Sequence, residues 1–160
     1  LVNYEVLKSK GEAYVKRMRL FHGSFGIEWL ATLSFFYKLI GKTPFHEVIL
    51  FITDLCENVT FNIKSGLNFC HSSAEADVSL SSQSLEYIFD HDWGMDSLKV
   101  NGRMQVKNIS SKSKFYRVFK LGSLKNRGIC ISKQPLKIIM NEDRIADLEP
   151  INMFLEQRSD

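Results

Sequence analysis

The sequence predicts an α+β fold, a twisted and mostly antiparallel sheet covered on one face by helices, and three observations carry that expectation. Apolar residues recur at helical spacing in the first third of the chain and switch to strict alternation from Asn58. Lys64-Ser65-Gly66 places a tight-turn signal between two alternating runs, which predicts a hairpin. Helical spacing then returns over residues 112–124. At 160 residues the chain is one domain's worth of sequence, able to bury a single core. We divide it into a helical N-terminal part (1–57), a core (58–131) and a tail (132–160).

In chain order, residues 4–21 read as a helix, with Leu7, Gly11, Tyr14, Met18 and Phe21 on one stripe and the basic residues elsewhere. Gly11 is a place where that helix could break, since glycine costs about 1 kcal/mol against alanine in a helix interior. Residues 27–40 form a second, greasier helix with Trp29, Leu30, Leu33, Phe36, Tyr37 and Ile40 on one broad face, stopped at Gly41. Residues 45–56 suit a helix opened by Thr43-Pro44 or a buried strand through Val48-Ile49-Leu50-Phe51-Ile52, and we favour the helix. The hairpin pairs Val59, Phe61 and Ile63 with Leu67-Asn68-Phe69. A short strand at Val78-Ser79-Leu80 precedes Ser81-Ser82-Gln83-Ser84, which reads as the N-cap of a short helix through Leu85, Ile88 and Phe89. A strand is expected over 98–107, with Asn101-Gly102 as a bulge or turn within it. The 112–124 helix is expected to carry Phe115, Val118 and Phe119 on one side, 129–131 could be one more short strand, and the tail reads as partly helical.

Charge is distributed unevenly. Residues 97–141 hold 11 Lys and Arg and no Asp or Glu, whereas 65–98 hold six acids and no Lys or Arg. Mutual neutralisation in the folded domain is the plainer expectation. A basic face for phosphate head groups or nucleic acid is the sharper one. No run of 18 apolar residues predicts a membrane span. Leu1-Val2-Asn3-Tyr4-Glu5 lacks the order of a signal peptide, and its opening Leu suggests a piece of a longer chain. Three cysteines without CxxC spacing fit a reducing, cytoplasmic compartment.

No catalytic motif emerges. Asp90-His91-Asp92 puts an imidazole between two carboxylates, but sequence neighbours point apart, and a polar connector is the better reading. Cys70-His71 lacks a third orienting group, and the Gly122 to Gly128 stretch lacks phosphate-loop spacing. Phe115, Tyr116 and Phe119 interleave with Lys114, Arg117 and Lys120, a pattern that could stack bases but more often marks a helix with one buried edge. Trp93, with Leu85, Ile88 and Phe89, forms either one wall of an apolar site or ordinary core. We expect no metal and no cofactor.

The segments NVTFNIKSG, ADVSLSSQSLEYIF and WGMDSLKVNGRMQV, within about Val59 to Phe119, resemble the lipid-binding domain of type-2 sterol carrier proteins. They also resemble such domains appended to the C-terminus of metallo-β-lactamase-fold hydrolases. The resemblance implies a helix-covered antiparallel sheet enclosing a tunnel for acyl chains or sterols. Carried across, Leu85, Ile88, Phe89, Trp93, Phe115 and Phe119 become candidate wall residues. The HxHxDH metal set of the hydrolase domain is absent, so a piece of such an enzyme would be its non-catalytic piece. The leading expectation is therefore a non-enzymatic module that binds an apolar small molecule or lipid, or serves as an accessory or dimerising domain beside a second copy or a partner domain. The alternative is a basic-faced domain for an anionic membrane surface or, less favoured, nucleic acid.

Overall fold

The computed structural model describes residues 3–24, 27–28, 47–70 and 75–133. The expected helix over 27–40 lies almost wholly outside the described residues, as do most of the loop from His71 and the tail from residue 134, expected to be partly helical. Among the described residues the chain forms α1 (Tyr4–His22), β1 (Val48–Ile52), β2 (Glu57–Asn62), β3 (Gly66–Phe69), β4 (Val78–Leu80), α2 (Ser82–Asp90), α3 (Gly94–Asn101), β5 (Met104–Val106), α4 (Ile109–Asn126) and a single 3₁₀ turn (Ile131–Lys133). The strands make one five-stranded sheet in the order β3-β2-β1-β4-β5, antiparallel at every pair except β1–β4. This is an α+β architecture.

The favoured helix over 45–56 is corrected to a strand from Val48. β1 is the central strand, paired with β2 along its whole length and with β4 from Leu50 to Ile52. Val48, Leu50 and Ile52 are buried on one face, while Ile49 and Phe51 are half-buried on the other. A central strand with one face buried and the other half-buried can read as a continuous apolar run, which hides its period of two. The hairpin forms as expected. The Asn62 side-chain carbonyl accepts from the Lys64 and Ser65 amides at 2.9 and 2.8 Å, and Gly66 takes φ +74°.

The strand expected over 98–107 is shortened to Met104–Val106, because residues up to Asn101 complete α3. Met95 and Leu98, one turn apart, are its buried residues, and Val100 points outward. Asn101-Gly102 is thus a helix stop: Gly102 adopts φ +61° and its amide donates to the Leu98 carbonyl at 3.2 Å. Residues 129–131 form no strand. Their end turns into the 3₁₀ segment, and the Ile131 amide donates to His22 Nδ1 at 3.4 Å. His22 is buried, and its Nε2 bonds the Leu121 carbonyl at 2.9 Å. Burial lowers its pKa, so the neutral ring serves both partners, Nε2–H donating and Nδ1 accepting.

Three of the helices pack on the sheet through aromatic rings. Tyr14 of α1, Phe61 of β2, Phe89 of α2 and Phe119 of α4 meet with ring centroids 4.9–6.2 Å apart, Phe61 and Phe119 stacked at 4.9 Å. α1 runs through Gly11 without a break. A Cβ there would lie 3.3 Å from Leu67 and 3.4 Å from Phe89, so the glycine lets α1 approach sheet and α2 closely. Asn3 caps α1 by accepting from the Val6 amide at 3.0 Å. Asn108 caps α4 in the same way, accepting from Ser111 N–H at 2.9 Å.

Gly94 makes the tightest approach: a Cβ would sit 2.6 Å from the Tyr87 carbonyl oxygen and 2.7 Å from the Ile88 Cα, both backbone atoms that cannot step aside. Gly94→Ala is therefore expected to destabilise the domain by about 1–3 kcal/mol, an overpacking cost read as a lower urea midpoint at unchanged slope. Gly102, with φ +61° and open space around it, should accept Asn at a cost below about 1 kcal/mol. Equal midpoints for wild type and Gly94→Ala would contradict this packing.

Candidate functional site

The structure gathers five of the six expected wall residues and leaves one outside. Leu85, Ile88, Phe89, Phe115 and Phe119 are fully buried, and Phe115 and Phe119 meet edge-on at 5.1 Å. Together with Phe61 and Tyr14 they form packed core. Trp93 is 45% exposed; its ring stacks on His91 at 5.0 Å, and its indole N–H donates to the Tyr87 hydroxyl at 3.3 Å. None of the six lines either of the two surface clefts identified among the described residues.

The larger cleft, about 820 Å³, opens on the opposite side of α2, between that helix, the end of α3 and the β4–β5 pair. Leu80 and Leu98, both buried, and half-buried Met104 supply apolar lining; Leu80 and Met104 are cross-strand neighbours. Ser79, Gln83, Asn101 and Gln105 add hydrogen-bonding groups, and Arg103 is the one charged residue in the lining. Arg103 has no ion pair among the described residues.

Local sequence explains how the cleft is held open. Ser81 caps α2, its hydroxyl accepting from the Ser84 amide at 3.2 Å and donating to the Ser84 hydroxyl at 3.0 Å. The Ser82 amide donates to Asp54 at 2.7 Å, and the Ser82 hydroxyl donates to the same carboxylate. Burial would raise the Asp54 pKa, but these two donors outweigh it and hold the carboxyl below its ordinary range. The start of α2 is thereby tied to the β1–β2 turn. Ser81 and Ser84 satisfy one another, which leaves Ser79, Gln83, Asn101, Gln105 and Arg103 to meet a ligand.

The acidic and basic blocks interlock. Glu75 pairs with Lys107 at 2.5 Å, Asp77 with Lys114 at 2.6 Å and Asp96 with Lys99 at 3.9 Å, while Asp92 holds both Lys125 and, at 3.0 Å, Arg17. Glu86 and Asp90 share Lys10 of α1, at 2.8 and 2.5 Å. In Asp90-His91-Asp92 the two acids thus reach different cations, and the imidazole stacks on Trp93 at 5.0 Å and meets Tyr87 at a tilt at 4.6 Å. Among the described residues no His, Cys, Asp and Glu side chains group as a metal site. None of the described helices is long and apolar enough to cross a membrane.

Sequence reasoning missed Leu98, Met104 and Arg103 as cleft residues because it read 98–107 as one strand. The signal was present: Met95 and Leu98 at i, i+3 followed by Gly102 mark a helix with a left-handed stop. Comparison with protein-family models, with curated proteins and with solved structures finds no match to this chain.

Asp77 joins three elements, accepting from the Ile49 amide at 3.0 Å, the Ser111 hydroxyl at 3.1 Å and Lys114. Burial pushes its carboxyl up, but the Ile49 amide, Lys114 and Ser111 together hold it below the usual range. A depressed carboxylate pKa adds stability that is complete above the unfolded value of about 3.9 and is lost as pH falls through the folded value. Asp77→Asn should cost about 1–3 kcal/mol at neutral pH, and the gap to wild type should close below about pH 4. Urea titrations across pH measure it. A gap that stays constant down to pH 2 would sink the assignment.

Proposed function

We propose that this domain is a non-catalytic module of the sterol-carrier type that binds an apolar ligand, with an acyl chain as the favoured occupant, in the cleft between α2, α3 and the β4–β5 pair. The observation that carries the reading is the cleft itself. Its volume, about 820 Å³, falls in the range of small-molecule sites, and its lining joins apolar side chains to a few polar groups and one cation. A sheet antiparallel at all but one pair, with helices packed on one face, supports the same reading because it is the layout the resemblance implies.

An acyl tail would lie along Leu80, Leu98 and Met104, and a carboxylate head group would meet Arg103. Each CH₂ that leaves water is worth about 0.8 kcal/mol, so the length of tail that the cleft covers sets the affinity. Leu85, Ile88, Phe89, Phe115 and Phe119 then act from behind, as the packed body that holds α2 in place. The exposed Trp93 lies on the loop that follows α2 and works as a reporter. The nucleic-acid form of the basic-faced alternative is weakened by the pairing of Lys107, Lys114 and Lys125 with acids.

The test is displacement of a fluorescent fatty acid, with native mass spectrometry of the freshly purified protein to detect a co-purifying lipid. Met104→Trp should fill the cleft and weaken uptake about tenfold or more with little change in stability. Arg103→Gln should weaken a fatty acid by about tenfold and leave the matching fatty alcohol unchanged, as loss of one charge-assisted contact predicts. Wild type that takes up no acyl or sterol probe would end the carrier reading and leave a packed accessory or dimerising domain.

A further inference from the structure

The two most exposed large apolar residues in the basic block are Val100, at the end of α3, and Ile109, at the start of α4, which are 86% and 84% exposed. The fold brings their surroundings together. The Lys99 and Lys112 ammonium groups lie 4.4 and 5.7 Å from the centroid of one ring, that of Tyr116. Val100 adjoins Lys99 in α3, and Ile109 lies one helical turn before Lys112 in α4, so two bare aliphatic side chains flank two gathered cations. Acid does little to neutralise them: Lys99 reaches Asp96 only at 3.9 Å, and Lys112 has no ion pair among the described residues. Arg103 adds a third cation one residue beyond Gly102.

We infer that this face, formed by the end of α3 and the first turn of α4, docks on an anionic lipid bilayer. Aliphatic tips ringed by cations match an interface whose surface is negative and whose interior is apolar, whereas contact with phosphates alone gives no use for Val100 and Ile109. Tyr116 suits the same boundary, with an apolar ring and a polar tip. The docking stands on the exposed residues and their charge and does not rest on the proposed function.

Sedimentation of the full chain with vesicles tests the proposal, using phosphatidylcholine alone against phosphatidylcholine enriched in phosphatidylserine. Binding is expected to the anionic vesicles, to fall with added salt, and to drop about fivefold for Lys112→Gln. Val100→Glu combined with Ile109→Glu should lower it about a hundredfold while circular dichroism and the urea midpoint stay at wild-type values. Leu20→Glu, at an apolar residue 78% exposed on α1, should leave it unchanged. Failure to bind anionic vesicles, equal binding to neutral ones, or an equal loss for Leu20→Glu would overturn the proposal. So would tight binding of duplex DNA that Val100→Glu and Ile109→Glu do not affect. Uptake of a fatty-acid probe in vesicle-free buffer is scored separately: uptake without vesicle binding removes the docking face and keeps the cleft, and vesicle binding without uptake does the reverse.

Discussion

The stack of Phe61 on Phe119, with Tyr14 and Phe89 closing around it, is the contact on which the rest of the structure depends. It joins α1, α2 and α4 to the buried face of the sheet at one place. Side chains of this size bury large apolar areas, and edge-to-face or stacked pairs add roughly 0.5–1.5 kcal/mol beyond area alone. The chain's 12 Phe residues, its one compositional oddity, find part of their explanation here. The Tyr14 hydroxyl is carried into this apolar setting, where burial pushes its pKa far up and keeps it neutral.

Around that cluster the charges act as positional ties. Asp92, on the α2–α3 connection, holds Arg17 of α1 and Lys125 of α4, and Arg17 also donates to the Phe89 carbonyl at 2.7 Å. The loop is thus pinned from two helices at the level of the ring cluster. Partly exposed pairs of this kind contribute modestly to stability. Their geometry matters more, because it sets where α3 begins and so where Leu98 and Arg103 stand. Asp77 and Asp54 do the corresponding work at the other end of the cleft, tying β4 to α4 and the start of α2 to the β1–β2 turn.

α2 consequently has two roles on two faces. Leu85, Ile88 and Phe89 point into solid core, while Ser84 and Tyr87 line the cleft. A short amphipathic helix next to a small strand looks the same in sequence whether its apolar side meets a ligand or meets phenylalanines. That is why the residues most evident as an apolar wall prove to be the backing of a different surface, and why Leu98 and Met104, in a stretch read as strand, were not seen as lining.

Local chemistry carried a good deal by itself. Alternation plus Lys64-Ser65-Gly66 determined the hairpin, because Gly66 takes a backbone angle that side chains disfavour. Ser81 and its neighbours determined where α2 starts, because a side-chain oxygen one turn ahead satisfies a free amide. The stripe from Leu7 to Met18 determined α1. The opposing charge blocks were legible as blocks, but which acid meets which lysine depends on chain segments tens of residues apart. β1 was decided by its neighbours: Val48 to Ile52 is apolar throughout and shows its alternation only in the burial that β2, β4 and the helices impose. The stop of α3 at Gly102 was legible in sequence, but where the helix begins was decided by Gly94 fitting against Tyr87 and Ile88. The cleft exists only because β5, α2 and α3 converge, and convergence is a property of packing in three dimensions rather than of spacing along the chain.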